Sequence, residues 1–570
     1  MQVDQIDSMS VMTWTWADYK PIFDELHERE LTAETAESFL SDWSKGVALV
    51  GELRVRSMVA TQRNTADEAA KEQYRRYNED VFPNFEAADQ LLREKVIAAG
   101  VSAPGFEVPL QQMGAKAALF RAENLTLLGE EKMLAAEYAA ITGAQTVPWQ
   151  GKDIPRSAMA PFLRVEDRKV REQAWRAVEN VKLQDRERLD GVWQRLLELR
   201  LQIARNADFD NYRDYKWQEL MRFDYGPELN ISFHRAAYEV AGPAIGRTFL
   251  RRQKRLGLSP IRPWDTWVDA ILGPPLHPAG TSEELQAGLL RIFRNVDPEF
   301  GRQFERMIDE DMLDLESRQN KAPGGVCFEF PVSGLPYIIT NTSGIHSDVE
   351  VVLHEGGHAF HAFECCHLPY FVRGMNLPSE FAEVASTSME LLAGPYLESE
   401  RGGFYSKRDA ARARIQTLEF LLYSWVWVAM IDSFQHWAYE NPGLARVPDH
   451  CDQTWTELTL RYLPFDWTGL EEYVGAEWRN VLHIVQLPFY AIEYAMAGLA
   501  AVSVWSQSLK DQSRAVDRYR SALARGGALP LPQLYEAVGA PFDFSTETLG
   551  SAVQLIEQTL LELEQEAESA

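Results

Sequence analysis

Residues Ser347–Glu364 read SDVEVVLHEGGHAFHAFE. Ser347 and Glu350 have capping-box spacing, so a helix is expected to begin at Ser347. Val349, Val352 and Leu353 give it an apolar side. His354 and His358 are then i and i+4, which stacks two imidazoles on one helix face. Both can reach one ion at about 2.0–2.1 Å. Glu355, one residue round from His354, sits beside such an ion, where it can take a proton from a bound water. Taken alone, the pattern also fits two helix-surface histidines, so its meaning depends on its surroundings.

A metal site built for hydrolysis needs a third protein ligand and an open fourth position. The next helical stretch, PSEFAEVASTSMELLAG, runs from Pro378 to Gly394. Pro378 suits a first turn, and Gly394 with Pro395 suits the exit. Glu383 falls mid-helix among apolar residues, where a free carboxylate is costly and a metal offsets the cost. Glu390, seven residues on, shares its face and is placed to accept a hydrogen bond from a ligand histidine. Glu380 reads as a solvated first-turn carboxylate. His361 is one turn too far along for the same ion and reads as either a supporting group or packing. Gly356 and Gly357 each cost the helix roughly 1 kcal/mol relative to Ala. They imply close packing against a neighbouring helix, room near the metal, or both.

Around this core the chain is mostly helical. Stretches rich in Ala, Glu, Leu, Arg and Gln run over 32–100 and 164–205, with breaks expected at Pro83, Gly100 and Pro148–Pro155. Ser259–Gly280 is Pro-rich and reads as a connector. Residues 281–304 are again amphipathic helix. The exception to helix is Val326–Thr340, where aromatic and β-branched residues around Pro331 and Gly334 predict two short strands, a hairpin. Phe420–Ile431 is the longest apolar run, interrupted only by Ser424; it is too short to span a bilayer and reads as a buried helix. The chain has no fixed-period repeat that would favour a solenoid.

The 570 residues exceed what one core usually serves, so two or more lobes are expected. Asp and Glu number 84 against 57 Lys and Arg, a formal charge of -27. That surface repels phosphate backbones and anionic lipid, which argues against nucleic-acid and peripheral membrane partners. Cys327, Cys365, Cys366 and Cys451 form neither a disulfide framework nor a CxxC pair, as expected of reduced thiols in the cytoplasm. The N-terminal MQVDQIDSMS lacks the pattern of a signal peptide.

Four strings resemble the M3 family of metallopeptidases, in its oligoendopeptidase F branch. HEGGHAFH resembles the family's HExGHxxH. FAEVAST resembles its third-ligand segment and places that ligand at Glu383. NKAPGGVCFEF, from Asn320, resembles the passage leading to an edge strand over the cleft. HIVQLPFYAIEYAMAG, from His483, resembles a stretch supplying substrate-binding His and Tyr groups. KRLGLSPIRPWD is a weaker likeness. Strong likeness covers Leu313–Gly498. The resemblance implies a mainly α, two-lobed metallopeptidase with a deep substrate channel and a small β-sheet beside the zinc site. The expected organisation is an N-terminal helical lobe over 1–195 and a catalytic helical domain over 196–570. It implies one Zn2+ per chain on His354, His358 and Glu383, with Glu355 activating the attacking water. It implies His483, Tyr490 and Tyr494 as donors to substrate, although Ile492 stands where many relatives have a tyrosine. Short unstructured peptides are the expected partners, cleaved internally by a monomer or small homo-oligomer. A carboxypeptidase and a non-catalytic peptide-binding protein are the competing readings.

Overall fold

The computed structural model describes residues 6–269, 271, 273–375 and 377–569. The chain divides into two compact units, each assembled from three segments. The first takes Met1–Ala118, Pro275–Ala410 and Ala500–Phe542; the second takes Leu119–Pro274, Ala411–Leu499 and Asp543–Ala570. The boundary expected at 195/196 falls inside one continuous helix, Arg186–Asn206, within the second unit.

In the first unit, helices Trp16–Glu28, Ala36–Arg63 and Phe82–Ala99 close around Trp43, Phe39, Leu49 and Leu92, all fully buried. The Trp43 indole N–H is satisfied by Asp89 at 2.8 Å, so the ring is buried without an orphaned donor. The break expected at Pro83 does not occur. Helical backbone runs from Glu68 to Ala99, with one widened turn at Tyr77–Val81 just before Phe82 and Pro83. That turn absorbs the missing Pro83 donor, which an unbroken i→i+4 ladder could not. Gly100, at φ 59°, ends the run as expected.

The predicted hairpin is present. The small sheets comprise β1 (Thr146–Trp149), β2 (Lys152–Pro155), β3 (Leu313–Glu316), β4 (Val326–Phe330) and β5 (Leu335–Thr342). β4 and β5 pair antiparallel from Val326↔Ile339 to Phe330↔Leu335. β3 joins the other side of β5 in parallel, which the sequence analysis did not anticipate. The order β3-β5-β4 leaves β4 at one edge. Phe330, Tyr337 and Ile339 cover Val55 and Val59 of the helix Ala36–Arg63. The sheet also packs against the helix His346–Cys365, so it is β5 that is buried along most of its length.

The second unit adds helices including Asn124–Gly143, Arg168–Gln184, Arg186–Asn206, Pro227–Ala236 and Pro448–Tyr462. β1 and β2 form a second hairpin, where only a break was expected. Its two-residue loop, Gln150 at φ 50° and Gly151 at φ 79°, has the positive dihedrals that the twist of a tight hairpin requires. The apolar run Phe420–Ile431 lies within the long helix Lys407–Glu440. Among the described residues no helix is long and apolar enough to cross a membrane.

Candidate metal and peptidase site

The site lies in the first unit, on two helices and the edge of a sheet. The histidine helix runs His346–Cys365 and starts one residue before the expected position. Its cap is Asp348 rather than Glu350: one carboxylate oxygen accepts from the N–H groups of Ser343, Gly344 and Ile345 at 2.8, 2.6 and 3.1 Å. A carboxylate there satisfies orphan donors and faces the positive end of the helix.

The glutamate helix, Ser379–Ala393, crosses it at very close range. Gly357 makes that approach possible. A Cβ at this position would lie 2.6 Å from the Ala385 carbonyl oxygen and from the Ser386 Cα, both backbone atoms. A Cβ on Gly356 would lie 2.7 Å from the Phe293 ring. The paired glycines are therefore packing glycines, as one expectation held. Tyr519 braces the glutamate helix from outside, its hydroxyl donating to the Ala385 carbonyl at 2.7 Å.

The approach brings three donor atoms together. Glu383 Oε2 stands 3.4 Å from His354 Nε2 and 3.8 Å from His358 Nε2. The ligand atoms of all three residues lie within 4.8 Å of one another. Ser386 holds Glu383 Oε2 with a 3.0 Å hydrogen bond. Behind His354, Glu390 Oε1 is 2.7 Å from Nδ1. That carboxylate accepts from Nδ1–H and points Nε2 at the other two groups, where a bound metal would take the place of the Nε2 proton. Two imidazoles and a carboxylate with an oriented lone pair suit a borderline divalent ion such as zinc.

Charge in this cluster is strongly perturbed. Burial opposes protonation of His354, but hydrogen bonds to Glu383 and Glu390 prevail and carry it up to about 11. Burial lowers His358 to about 4. Glu383 is buried, yet the two imidazoles and Ser386 hold its carboxyl below the usual range. Glu355 is 8% exposed. Burial, with Glu383 and Glu390 nearby, lifts it to about 7, while His354 and the backbone N–H of Cys327 oppose the rise. Cys327 belongs to β4, so the candidate base is tied to the sheet edge.

His361 is buried, burial lowers it to about 3, and its ring meets Phe381 edge-on at 5.6 Å, a contact that belongs to the packing alternative. Glu380 is buried rather than solvated, which corrects the expectation. It stays at the first turn, where the helix dipole favours a carboxylate even under cover.

His483, Tyr490 and Tyr494 belong to the second unit and cluster with one another. His483 stacks on Tyr490 at 6.2 Å, and Tyr494 meets His483 and Tyr490 edge-on at 5.8 and 5.5 Å. Burial lowers His483, which favours the neutral ring. Tyr494 is 38% exposed and the other two are half-buried, so this is no sealed aromatic core. Sequence reasoning missed the residues that hold their loop. Gln435 donates to the His483 carbonyl and accepts from the Phe489 N–H at 3.0 Å. Arg200 donates to the Val485 carbonyl at 2.7 Å, and Arg222 to the Phe489 carbonyl at 2.6 Å. These side chains come from sequence-distant helices or turns, and no local pattern marks them.

The chain resembles known proteins in sequence and in fold. Oligopeptidase PepF of Bacillus subtilis (strain 168) is 24% identical over 334 residues, which is 57% of this chain and 47% of that protein. The chain thus aligns with about half the length of that curated relative. Among solved structures, PZ peptidase A with an inhibitor superposes with a TM-score of 0.84 at 22% identity, over 99% of this chain and 98% of that one. An X-ray structure provisionally named oligoendopeptidase F gives 0.83 at 22% identity, over 99% and 98%. At that identity the superpositions speak for the fold, mainly α with small sheets. The family model described as peptidase family M3 matches residues 162–552, which include the helices His346–Cys365 and Ser379–Ala393. This chain belongs to peptidase family M3.

Proposed function

We propose that the chain is a zinc-dependent endopeptidase that hydrolyses internal bonds of short, unstructured peptides. The observation that carries this reading is the convergence of His354, His358 and Glu383 beside Glu355, in a member of a peptidase family. One zinc ion held by those three residues would polarise the scissile carbonyl and acidify a coordinated water.

The protein's own groups do the rest. Glu355 takes a proton from the attacking water and returns it to the leaving amine. Its raised affinity for a proton, about 7 where an ordinary glutamate has 4.5, suits a group that must both accept and release one near neutrality. Glu390 and Ser386 fix the orientation of the ligands. The edge of β4 presents backbone groups to an extended peptide, a mode that tolerates varied side chains. His483, Tyr490 and Tyr494 offer ring N–H and hydroxyl donors to substrate carbonyls or to the developing oxyanion. The four free cysteines support a reducing, cytoplasmic setting.

The test is mass spectrometry of a mixed set of short peptides, with and without chelator and restored zinc. Internal cleavage that chelator stops and zinc restores is the expected result. Removal of terminal residues alone would make the protein an exopeptidase. No cleavage by the zinc-loaded protein would overturn the enzymatic reading.

A further inference from the structure

A second set of metal-ligating side chains lies wholly inside the second unit, and the proposed chemistry makes no use of it. Helix Pro227–Ala236 carries Asn230 and His234 one turn apart, and helix Lys407–Glu440 carries Asp432 and His436 one turn apart. The two helices bring these faces together. Asp432 is 0% exposed and Asn230 1%. One oxygen, Asp432 Oδ2, stands 2.8 Å from His234 Nε2, 3.1 Å from Asn230 Nδ2 and 3.3 Å from His436 Nε2.

This is a poor hydrogen-bond network. Three nitrogens crowd one carboxylate oxygen while Asp432 Oδ1 has no hydrogen-bond partner among the described residues. Among the described residues neither ring nitrogen of His436 has a hydrogen-bond partner, although Nε2 is close to Oδ2. Asn230 Oδ1 is also unpartnered. Buried polar atoms left unmet carry the full loss of their hydration with nothing to offset it. The His354, His358 and Glu383 cluster likewise gathers two imidazole nitrogens about one carboxylate oxygen, at 3.4 and 3.8 Å. In both clusters the ligand atoms lie within 4.8 Å of one another.

We propose that His234, Asp432 and His436, completed by Asn230, form a second metal site that binds a divalent first-row transition ion such as zinc. Turning the Asn230 amide end for end aims its oxygen into the cluster as a fourth ligand, and the two amide orientations have nearly the same shape. Two neutral imidazoles, one carboxylate and one amide oxygen suit a borderline ion rather than calcium or magnesium. A set closed by four protein ligands and buried on every side is structural rather than catalytic. Its position gives it a task. The His436 ring packs on Phe489 at 5.4 Å, in the loop that carries His483 and Tyr490, so an ion would stiffen the platform under that loop.

The test is metal content of the full chain after zinc loading and gel filtration. Wild type is expected to hold two equivalents, His354→Ala/His358→Ala one, and His436→Gln one. A single equivalent in wild type that vanishes in His354→Ala/His358→Ala would overturn the second site. So would two equivalents retained by His436→Gln. Because the two clusters are read by separate variants, failure of one does not count against the other. Cobalt supplies a measurement independent of how His436→Gln folds: added to His354→Ala/His358→Ala, it is expected to give the visible absorption of a four-coordinate site. A colourless protein would overturn the proposal.

Discussion

Glu390 Oε1 sits 2.7 Å from Nδ1 of His354, on the side of the ring opposite Glu383. One carboxylate behind the imidazole decides which nitrogen carries the proton, and so whether Nε2 is free to bind a metal.

Glu390→Gln keeps the shape but removes the charge. It is expected to weaken zinc binding by about 10- to 100-fold. Competition with a chromophoric chelator measures this directly. Unchanged affinity would mean that the ring is held by packing alone.

The surroundings of two glycines, one between the histidine and glutamate helices and one on an open helix face, predict opposite outcomes. Gly357→Ala forces a methyl into the Ala385–Ser386 backbone and is expected to cost about 1–3 kcal/mol, with weaker metal binding as Glu383 is pushed away. Gly129→Ala, within the helix Asn124–Gly143 and facing open space, is expected to stabilise by about 0.5–1 kcal/mol. Denaturant unfolding of both variants checks the pair.

Glu355 gives a pH dependence whose sign can be worked out. The base must be ionised, and burial lifts its carboxyl to about 7. Activity is therefore present above that value and lost as pH falls through it. A bound cation favours the carboxylate, so the acid limb of kcat/KM is expected at or below pH 7. Glu355→Gln is expected to lower kcat by about 100- to 10,000-fold with zinc content unchanged. Full activity in that variant would assign the base elsewhere.

Gln435 holds both ends of the loop that bears His483 and Tyr490. Gln435→Ala orphans a buried N–H, at a cost of about 1–3 kcal/mol, and a part-buried carbonyl at a smaller one. KM for peptides is expected to rise while the metal at His354 is kept. An unaltered KM would separate the loop from substrate binding.

Much of this was legible because local rules governed it. Helical spacing alone placed His354 and His358 together, and the apolar setting of Glu383 made a free carboxylate there unfavourable. The hairpin Val326–Thr342 announced itself through Pro331, Gly334 and β-branched neighbours. What escaped notice depends on residues far apart in the chain. β3 is four residues long and becomes a strand only beside β5. Pro83 signals a break, yet a widened turn carries the helix past it. Gln150–Gly151 lacks the Asn-Gly or Asp-Gly that usually betrays a tight hairpin. Asp432 and His436 are a turn apart on one helix, but their meaning appears only when His234 arrives from another.

The division of each unit among three segments bears on how the protein is made. The helix carrying Glu383 leans on Tyr519, which is synthesised more than a hundred residues later. Residues 6–118 and 275–410 likewise share a unit with 500–542. A nascent chain that has passed Glu383 but not Tyr519 has the glutamate helix without its brace. The proposed zinc-binding and water-activating groups would thus be held in place only after the chain has been made far beyond them, which would separate the synthesis of the site from the start of its chemistry.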